Sequence, residues 1–166
     1  MIRDAGIHDA ISIAEIYNHY VLNSHATFEV DPIEIDEMER RIENCLTRAL
    51  PFLVAVVDDE IRGYACAQPY KPRAAYQHSV EISVYVSPTA TANGMGTALY
   101  AALFDKLAHS GVHAVIAGIS LPNDSSVCLH EKFGMSKVAH FREVGRKFDR
   151  WIDVGYWELI LADTSI

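Results

Sequence analysis

Residues 79–99, SVEISVYVSPTATANGMGTAL, constrain the fold of this chain more than any other stretch. Residues 79–86, rich in Val, Ile and Tyr, carry a strand signal that Ser87-Pro88 interrupts. Gly94 and Gly96 then open an amphipathic segment with Leu99, Leu103 and Leu107 at helical spacing. A strand that feeds a glycine-bearing loop at a helix start makes an anion site. Unpaired backbone N–H groups and the positive end of the helix dipole converge there. Glu81 stands within the feeding strand, so a place for a phosphorylated cofactor lies beside an acid/base group. That pairing points to an enzyme. The glycines alone are equally consistent with a tight turn. They are no Walker loop, because no Lys-Ser/Thr follows Gly96, and the third glycine of a dinucleotide fingerprint is missing.

The 166 residues, half of them hydrophobic, suffice for one domain with a substantial core, and no linker or repeat divides residues 1–166. A net charge of −8 argues against general nucleic-acid binding, which needs clustered Lys and Arg. The aliphatic run at residues 52–57 is too short to span a bilayer, and the N-terminus lacks the apolar segment of a signal peptide. The cysteines, Cys45, Cys66 and Cys128, are odd in number and far apart, which fits a reducing compartment. The expectation is a cytoplasmic domain that engages neither membrane nor nucleic acid.

Along the chain, residues 2–4 read as a short strand, and Asp9 as the N-cap of a helix bearing Ile13, Ala14, Tyr17, Tyr20 and Val21 on one side. Asp31-Pro32 reads as the cap of a second helix with Ile35, Met38, Ile42 and Leu46. Strands follow at 52–57 and 61–67 around the turn Asp58-Asp59-Glu60, then a loop at 68–77 and the strand at 79–86. A helix over 94–110 ends at Gly111, and a buried strand covers 113–119. Asp124 reads as the cap of a helix ending near Gly134, and strands at 135–144 and 154–161 complete an α/β domain with a mixed sheet.

After the strand at 113–119 come Leu121-Pro122-Asn123-Asp124-Ser125-Ser126 and Leu129-His130-Glu131-Lys132-Phe133-Gly134-Met135. With these the sequence resembles the GNAT superfamily of acetyl-CoA-dependent N-acetyltransferases. The pyrophosphate loop of that superfamily, Gln/Arg-x-x-Gly-x-Gly/Ala, falls on Thr91 to Gly96, and its later Asn, small residue and Tyr-type acid fall on Asn123, Ser126 and His130. Residues 16–21 (IYNHYV), 26–29 (ATFE), 80–86 (VEISVYV), 145–147 (GRK) and Trp151-x-Asp153-Val154 narrow the resemblance to the phosphinothricin N-acetyltransferase family, over almost the whole chain.

The resemblance implies a GNAT fold: a mixed, mostly antiparallel central sheet with splayed strands and helices on both faces. It implies a homodimer that acetylates the α-amine of phosphinothricin or of related amino acids such as methionine sulfoximine and methionine sulfone. By the same analogy Val84, Tyr85 and Val86 meet the pantetheine arm of acetyl-CoA, and Asn93, Gly94, Met95, Gly96, Thr97 and Ala98 meet its pyrophosphate. Asn123, Ser126 and His130 complete the cofactor set, and Phe28, Glu29 and Tyr85 wall the substrate pocket. Thr91 departs from the Gln or Arg of the pattern, and residues 89–97 hold no Lys or Arg, so the cofactor phosphates depend on backbone donors and on cations elsewhere.

An amine attacks only when deprotonated, and a positioned base contributes about 10²–10⁴-fold to such a step. Glu81, between Val80 and Ile82, is the candidate base; the alternative is a solvent-facing strand carboxylate. His130 is the second catalytic candidate, as proton donor to the leaving thiolate or as a cofactor contact, against a histidine at the edge of the core. Lys71 and Arg73, with Tyr76, precede the Glu81 strand and suit a carboxylate or phosphinate; the alternative is a solvated loop. No metal is expected, since Gly111 separates His109 from His113 and no carboxylate or cysteine partner stands at ligand spacing. Other readings are the same transfer to a protein N-terminus, polyamine or aminoglycoside, and a non-catalytic acetyl-CoA-binding module.

Overall fold

The computed structural model describes residues 1–90 and 94–161. The seven strands β1 (Ile2–Asp4), β2 (Phe52–Val57), β3 (Glu60–Pro69), β4 (Ser79–Val86), β5 (Ala114–Leu121), β6 (Ser136–Lys147) and β7 (Arg150–Ile160) form one sheet ordered β1-β2-β3-β4-β5-β7-β6. Every neighbouring pair is antiparallel except β4–β5. Helices α1 (Ala10–Asn23) and α2 (Ile35–Thr47) cover one face of the sheet, and α3 (Met95–Leu107) and α4 (Asp124–Lys132) lie on the other. The expected GNAT architecture is the observed one.

Alternation along β4 sorts its side chains between the two faces. Val80 and Ile82 enter the core under α3 with Leu99, Leu103, Leu107 and Trp157. Tyr85 points the other way, to Tyr17, Phe52, Tyr64 and Cys66 beneath α1 and α2. By the same alternation Glu81 and Ser83 share the α1–α2 face with Tyr85.

The parallel pairing of β4 with β5 is short: Ser79, Val80 and Glu81 oppose Ala114, Val115 and Ile116. Beyond Glu81 the strands diverge. β4 continues along β3 to Val86, while β5 continues along β7 to Leu121. The sheet therefore opens into a wedge immediately after the candidate base.

Local chemistry moves two expected caps and leaves Asp9 at the N-cap position expected for it, with its side chain otherwise engaged. The Asp9 carboxylate is taken by the Arg3 guanidinium in a two-point contact (2.7 and 2.8 Å) and by the Gly6 N–H, so it makes no cap bond to α1. The second helix begins three residues later than Asp31-Pro32 suggests, with Glu34 as N-cap; Met38, Ile42 and Cys45 are buried, whereas Ile35 and Leu46 stay exposed. On α4 the cap is Asn123, whose side chain accepts from the Ser126 N–H, and Asp124 is the first helical residue. Two tight hairpins have paired residues at positive φ, Asp58-Asp59 and Phe148-Asp149, the geometry of a type I′ turn. Asp accepts that conformation readily, Phe148 does not.

Candidate active site

The wedge is a cavity of about 720 Å³. Val84, Tyr85 and Val86 of β4 form one wall, Gly118, Ile119 and Ser120 of β5 the opposite one. Gly94, Met95, Gly96 and Thr97 stand at its end, with Asn123, Ser126 and His130 of α4 beside them. Ser87 donates its N–H to Arg62 of the β3 side (2.7 Å), so in an extended strand Val84 and Val86 direct their backbone groups towards the wedge. The Val86 carbonyl accepts from the Tyr20 hydroxyl (2.6 Å).

Gly94 adopts a left-handed conformation (φ 74°) that turns the chain into α3. The first turn of α3 presents the N–H groups of Met95, Gly96 and Thr97 at the mouth of the wedge, the donors that phosphate oxygens need. Ala98, expected with them, donates its N–H to the Gly94 carbonyl (3.0 Å) and closes the first helical turn instead. Asn93 and Thr91 lie outside the described residues. Lys132 is the one Lys or Arg among the described residues lining this cavity, and it supplies a cation that residues 89–97 lack.

Glu81 sits at the vertex, opposite Gln68 on β3 and Ile116 on β5. Its carboxylate accepts from the Gly118 N–H, and burial raises its pKa above the ordinary 4.5. Gly118 leaves room for it: a Cβ there would stand 3.3 Å from Glu81 Oε1 and 3.2 Å from the Tyr156 ring. Burial, with the charge of Glu81 nearby, raises the Tyr156 phenol, while Lys71 lowers it.

His130 is buried. Its Nδ1 faces the Ser126 carbonyl (2.7 Å), which can only accept, so Nδ1 carries the proton. Nε2 then accepts from the Tyr100 hydroxyl at 2.8 Å. Burial lowers the pKa of His130 and holds it neutral, with its proton committed to α4. The ring ties α3 to α4 along the wall of the wedge.

A second cavity of about 710 Å³ lies between α1–α2 and the sheet, on the Glu81 face. It shares Ser83 and Tyr85 with the wedge. Glu29, Glu37, Arg40 and Arg41 give it groups of both charges in equal number, with Glu37 paired to both arginines, and Gln68, the cross-strand neighbour of Glu81, reaches its wall. Glu29 pairs with Arg41 through Oε1, whereas Oε2 is buried without a hydrogen-bond partner. Tyr85 is packed against Tyr17, Tyr20 and Tyr64 at centroid separations of 5.2–5.4 Å. Phe28 is part-exposed and lies on Gly145, where a Cβ would be 2.8 Å or less from three ring carbons.

Lys71 and Arg73 are exposed on the β3–β4 loop and line neither cavity. Lys71 lies over the rings of Tyr70 (4.9 Å) and Tyr76 (5.6 Å). Tyr20, read from sequence only as a helix-face residue, and His25, Ser120 and Lys132, which the sequence does not mark as site residues, all line the wedge. No cluster of His, Cys, Asp or Glu suited to a metal occurs among the described residues.

A sheet that parts between parallel strands, beside a glycine-led helix start, is the arrangement of an acyl-CoA-using transferase, and residues 2–155 match the acetyltransferase (GNAT) domain model. The chain belongs to the GNAT family of acetyltransferases. It is 41% identical over 154 residues to a phosphinothricin N-acetyltransferase of Streptomyces coelicolor, covering 90% of each chain. It is 32% identical over 164 residues to an L-methionine sulfoximine/L-methionine sulfone acetyltransferase of Pseudomonas aeruginosa, covering 98% of this chain and 95% of that one. A phosphinothricin acetyltransferase of Sinorhizobium meliloti, solved in complex with acetyl-CoA, superposes with a TM-score of 0.95 at 34% identity, over 99% of this chain and 90% of that one.

Proposed function

We infer that this enzyme transfers the acetyl group of acetyl-CoA to the α-amine of phosphinothricin or a related amino acid such as methionine sulfoximine or methionine sulfone. The observation that carries the reading is that Ser83 and Tyr85, one strand step from Glu81 on its own face, line both cavities. The wedge suits acetyl-CoA, with Met95, Gly96 and Thr97 donating to its phosphates and Val84 lying along its arm. The second cavity suits a zwitterion: the orphan Oε2 of Glu29 accepts from an ammonium group, and Arg40 and Arg41 attract an acid group. Its two carboxylates, Glu29 and Glu37, are matched by Arg40 and Arg41, so the lining offers no excess of negative charge to a polycation, which disfavours polyamines and aminoglycosides.

In this reading Glu81, directly or through a water, takes a proton from the substrate ammonium. The freed amine attacks the thioester carbonyl, and backbone N–H groups at the splay hold the oxyanion. Collapse expels the thiolate, which takes the remaining amine proton, and the proton on Glu81 passes to solvent. The raised pKa of Glu81 keeps it a competent base near neutral pH. The neutral, doubly engaged His130 serves as a support for the cofactor wall, and Lys71, Arg73 and Tyr76 act at the rim on the Glu81 side.

The enzyme works as a homodimer in the cytoplasm on this reading. Its cysteines are all free, and Val138, Phe141, Val144 and Trp151 stand more than half exposed on β6 and β7, an apolar surface suited to a second copy. The test is thiol release from acetyl-CoA across phosphinothricin, methionine sulfoximine, methionine sulfone, a polyamine and a basic peptide. Saturable turnover confined to the first three is expected. Turnover only with the polyamine or peptide overturns the substrate assignment.

A further inference from the structure

The segment 24–29 between α1 and α2 borders both cavities. Ser24, His25 and Ala26 line the wedge, and Glu29 lines the second cavity. Three ties hold it. His25 Nδ1 meets Ser120 Oγ of β5 at 3.1 Å, across the mouth of the wedge. The Thr27 hydroxyl meets the Tyr17 hydroxyl of α1 at 2.7 Å. The third tie comes from the far edge of the sheet: Lys147 of β6 donates from Nζ to the carbonyls of Ser24 (2.7 Å) and Thr27 (2.8 Å).

Lys147 is an unusual residue to spend on a loop. It is 3% exposed, and burial lowers its pKa while the charge of Glu29 opposes that fall. A lysine is seldom fully buried unless its charge is used. Among the described residues no carboxylate forms an ion pair with it. Its ammonium spans the two carbonyls that bracket the wedge-lining residues, on a hairpin held at the left-handed Phe148-Asp149 turn.

We propose that Lys147 is a positioning residue for the transfer reaction, fixing segment 24–29 as one wall common to the cofactor and acceptor cavities. The proposal rests on the two-cavity reading, but its cofactor half stands without the acceptor assignment. With the latch in place, the wedge-lining and acceptor-lining residues are set together before either ligand arrives. Without it, each ligand must order the segment on binding, and affinity falls on both sides.

The test uses the full chain and a Lys147→Met variant, which keeps the stem and removes the donors. The acetyl-CoA Kd is expected to rise about tenfold, the loss of a charge-assisted pair of hydrogen bonds. Amide hydrogen exchange within 24–29 should accelerate, while β4 and α3 exchange as in the parent. The acceptor KM rises with the Kd, and kcat at saturation changes least. A purely structural role predicts a lower melting temperature with ligand constants unchanged at permissive temperature. Parent-like Kd and exchange at 24–29 overturn the proposal. If the variant does not fold, the parent decides: acetyl-CoA added alone must slow exchange at Thr27 and Glu29, beyond the wedge-lining residues, and failure to do so refutes the shared wall. If the parent turns over none of the amino-acid acceptors while the acetyl-CoA effects hold, the acceptor assignment fails and the latch stands.

Discussion

Glu81→Gln separates the chemistry of the site from its stability in one substitution. Gln retains the shape and an oxygen that accepts from the Gly118 N–H, so the geometry at the vertex persists. What disappears is the ability to take a proton. General-base assistance is worth about 10²–10⁴ in rate, or about 3–5 kcal/mol of barrier, so kcat should fall by that factor. Binding of acetyl-CoA should hold, because the groups placed to meet it lie on α3, α4 and beyond Glu81 on β4. Stability moves the other way. The folded pKa of Glu81 is raised by burial, so between the unfolded and folded values the native state binds more protons than the unfolded chain. Stability therefore declines as pH rises from the ordinary 4.5 through the folded value, and the cost is fully present above it. Gln carries no such cost. The variant should melt at or above the parent temperature at neutral pH and lose that advantage in acid. The parent should show an acidic limb in kcat/KM with its midpoint above 4.5, and the variant should lack it. Steady-state thiol release and thermal melts across pH supply both readouts. Wild-type kcat in the variant refutes the base assignment. A variant less stable at neutral pH than in acid, relative to the parent, refutes the burial argument.

Two other substitutions test the surroundings. Gly118→Ala brings a methyl against Glu81 Oε1 and Tyr156, each inside ordinary contact distance, so the carboxylate must shift by tenths of an ångström. kcat should fall about tenfold with little change in acetyl-CoA affinity, since small misplacements of reacting groups cost rate steeply; an unaltered kcat would show that the vertex has slack. Tyr100→Phe removes the hydroxyl that His130 Nε2 accepts from and leaves a buried acceptor unpaired. That costs about 1–3 kcal/mol, and at about 2–4 °C per kcal/mol for a chain of this size the melting temperature should drop by several degrees. An unchanged melt would mean that His130 turns its proton elsewhere.

The strand boundaries of β2 and β4 and the core positions of α1 and α3 are legible in the sequence because alternation and helical spacing are strong there, and Gly94 and Gly96 mark the start of α3 once the Leu99, Leu103 and Leu107 spacing is read with them. The caps were less legible. Asp9, Asp31 and Asp124 are all good capping types, and nothing local reveals that Arg3 would claim Asp9 or that Asn123 would precede Asp124 in the role. The wedge is not a property of either strand alone. It arises because β4 prefers β3, and β5 prefers β7, over continued pairing with each other, a competition between distant segments. Lys147 shows the same limit. In sequence it is one more cation at a hairpin, and only the arrival of segment 24–29 from 120 residues away makes it a donor to buried carbonyls. Lys71 and Arg73 illustrate the converse: their charge suited a pocket, yet the loop leaves them exposed and lining neither cavity.

The short parallel seam has a consequence for the life of the protein as well as its chemistry. Three opposed pairs, Ser79–Glu81 with Ala114–Ile116, join the four-stranded side of the sheet to the three-stranded side. A ligand that fills the gap beyond them bridges both sides and binds only the folded chain. By mass action such a ligand at a hundred times its Kd adds about 2.7 kcal/mol of stability. Empty and filled molecules therefore differ in how often the seam opens to proteases. Limited proteolysis of the full chain should slow as acetyl-CoA is added, in step with occupancy of the wedge.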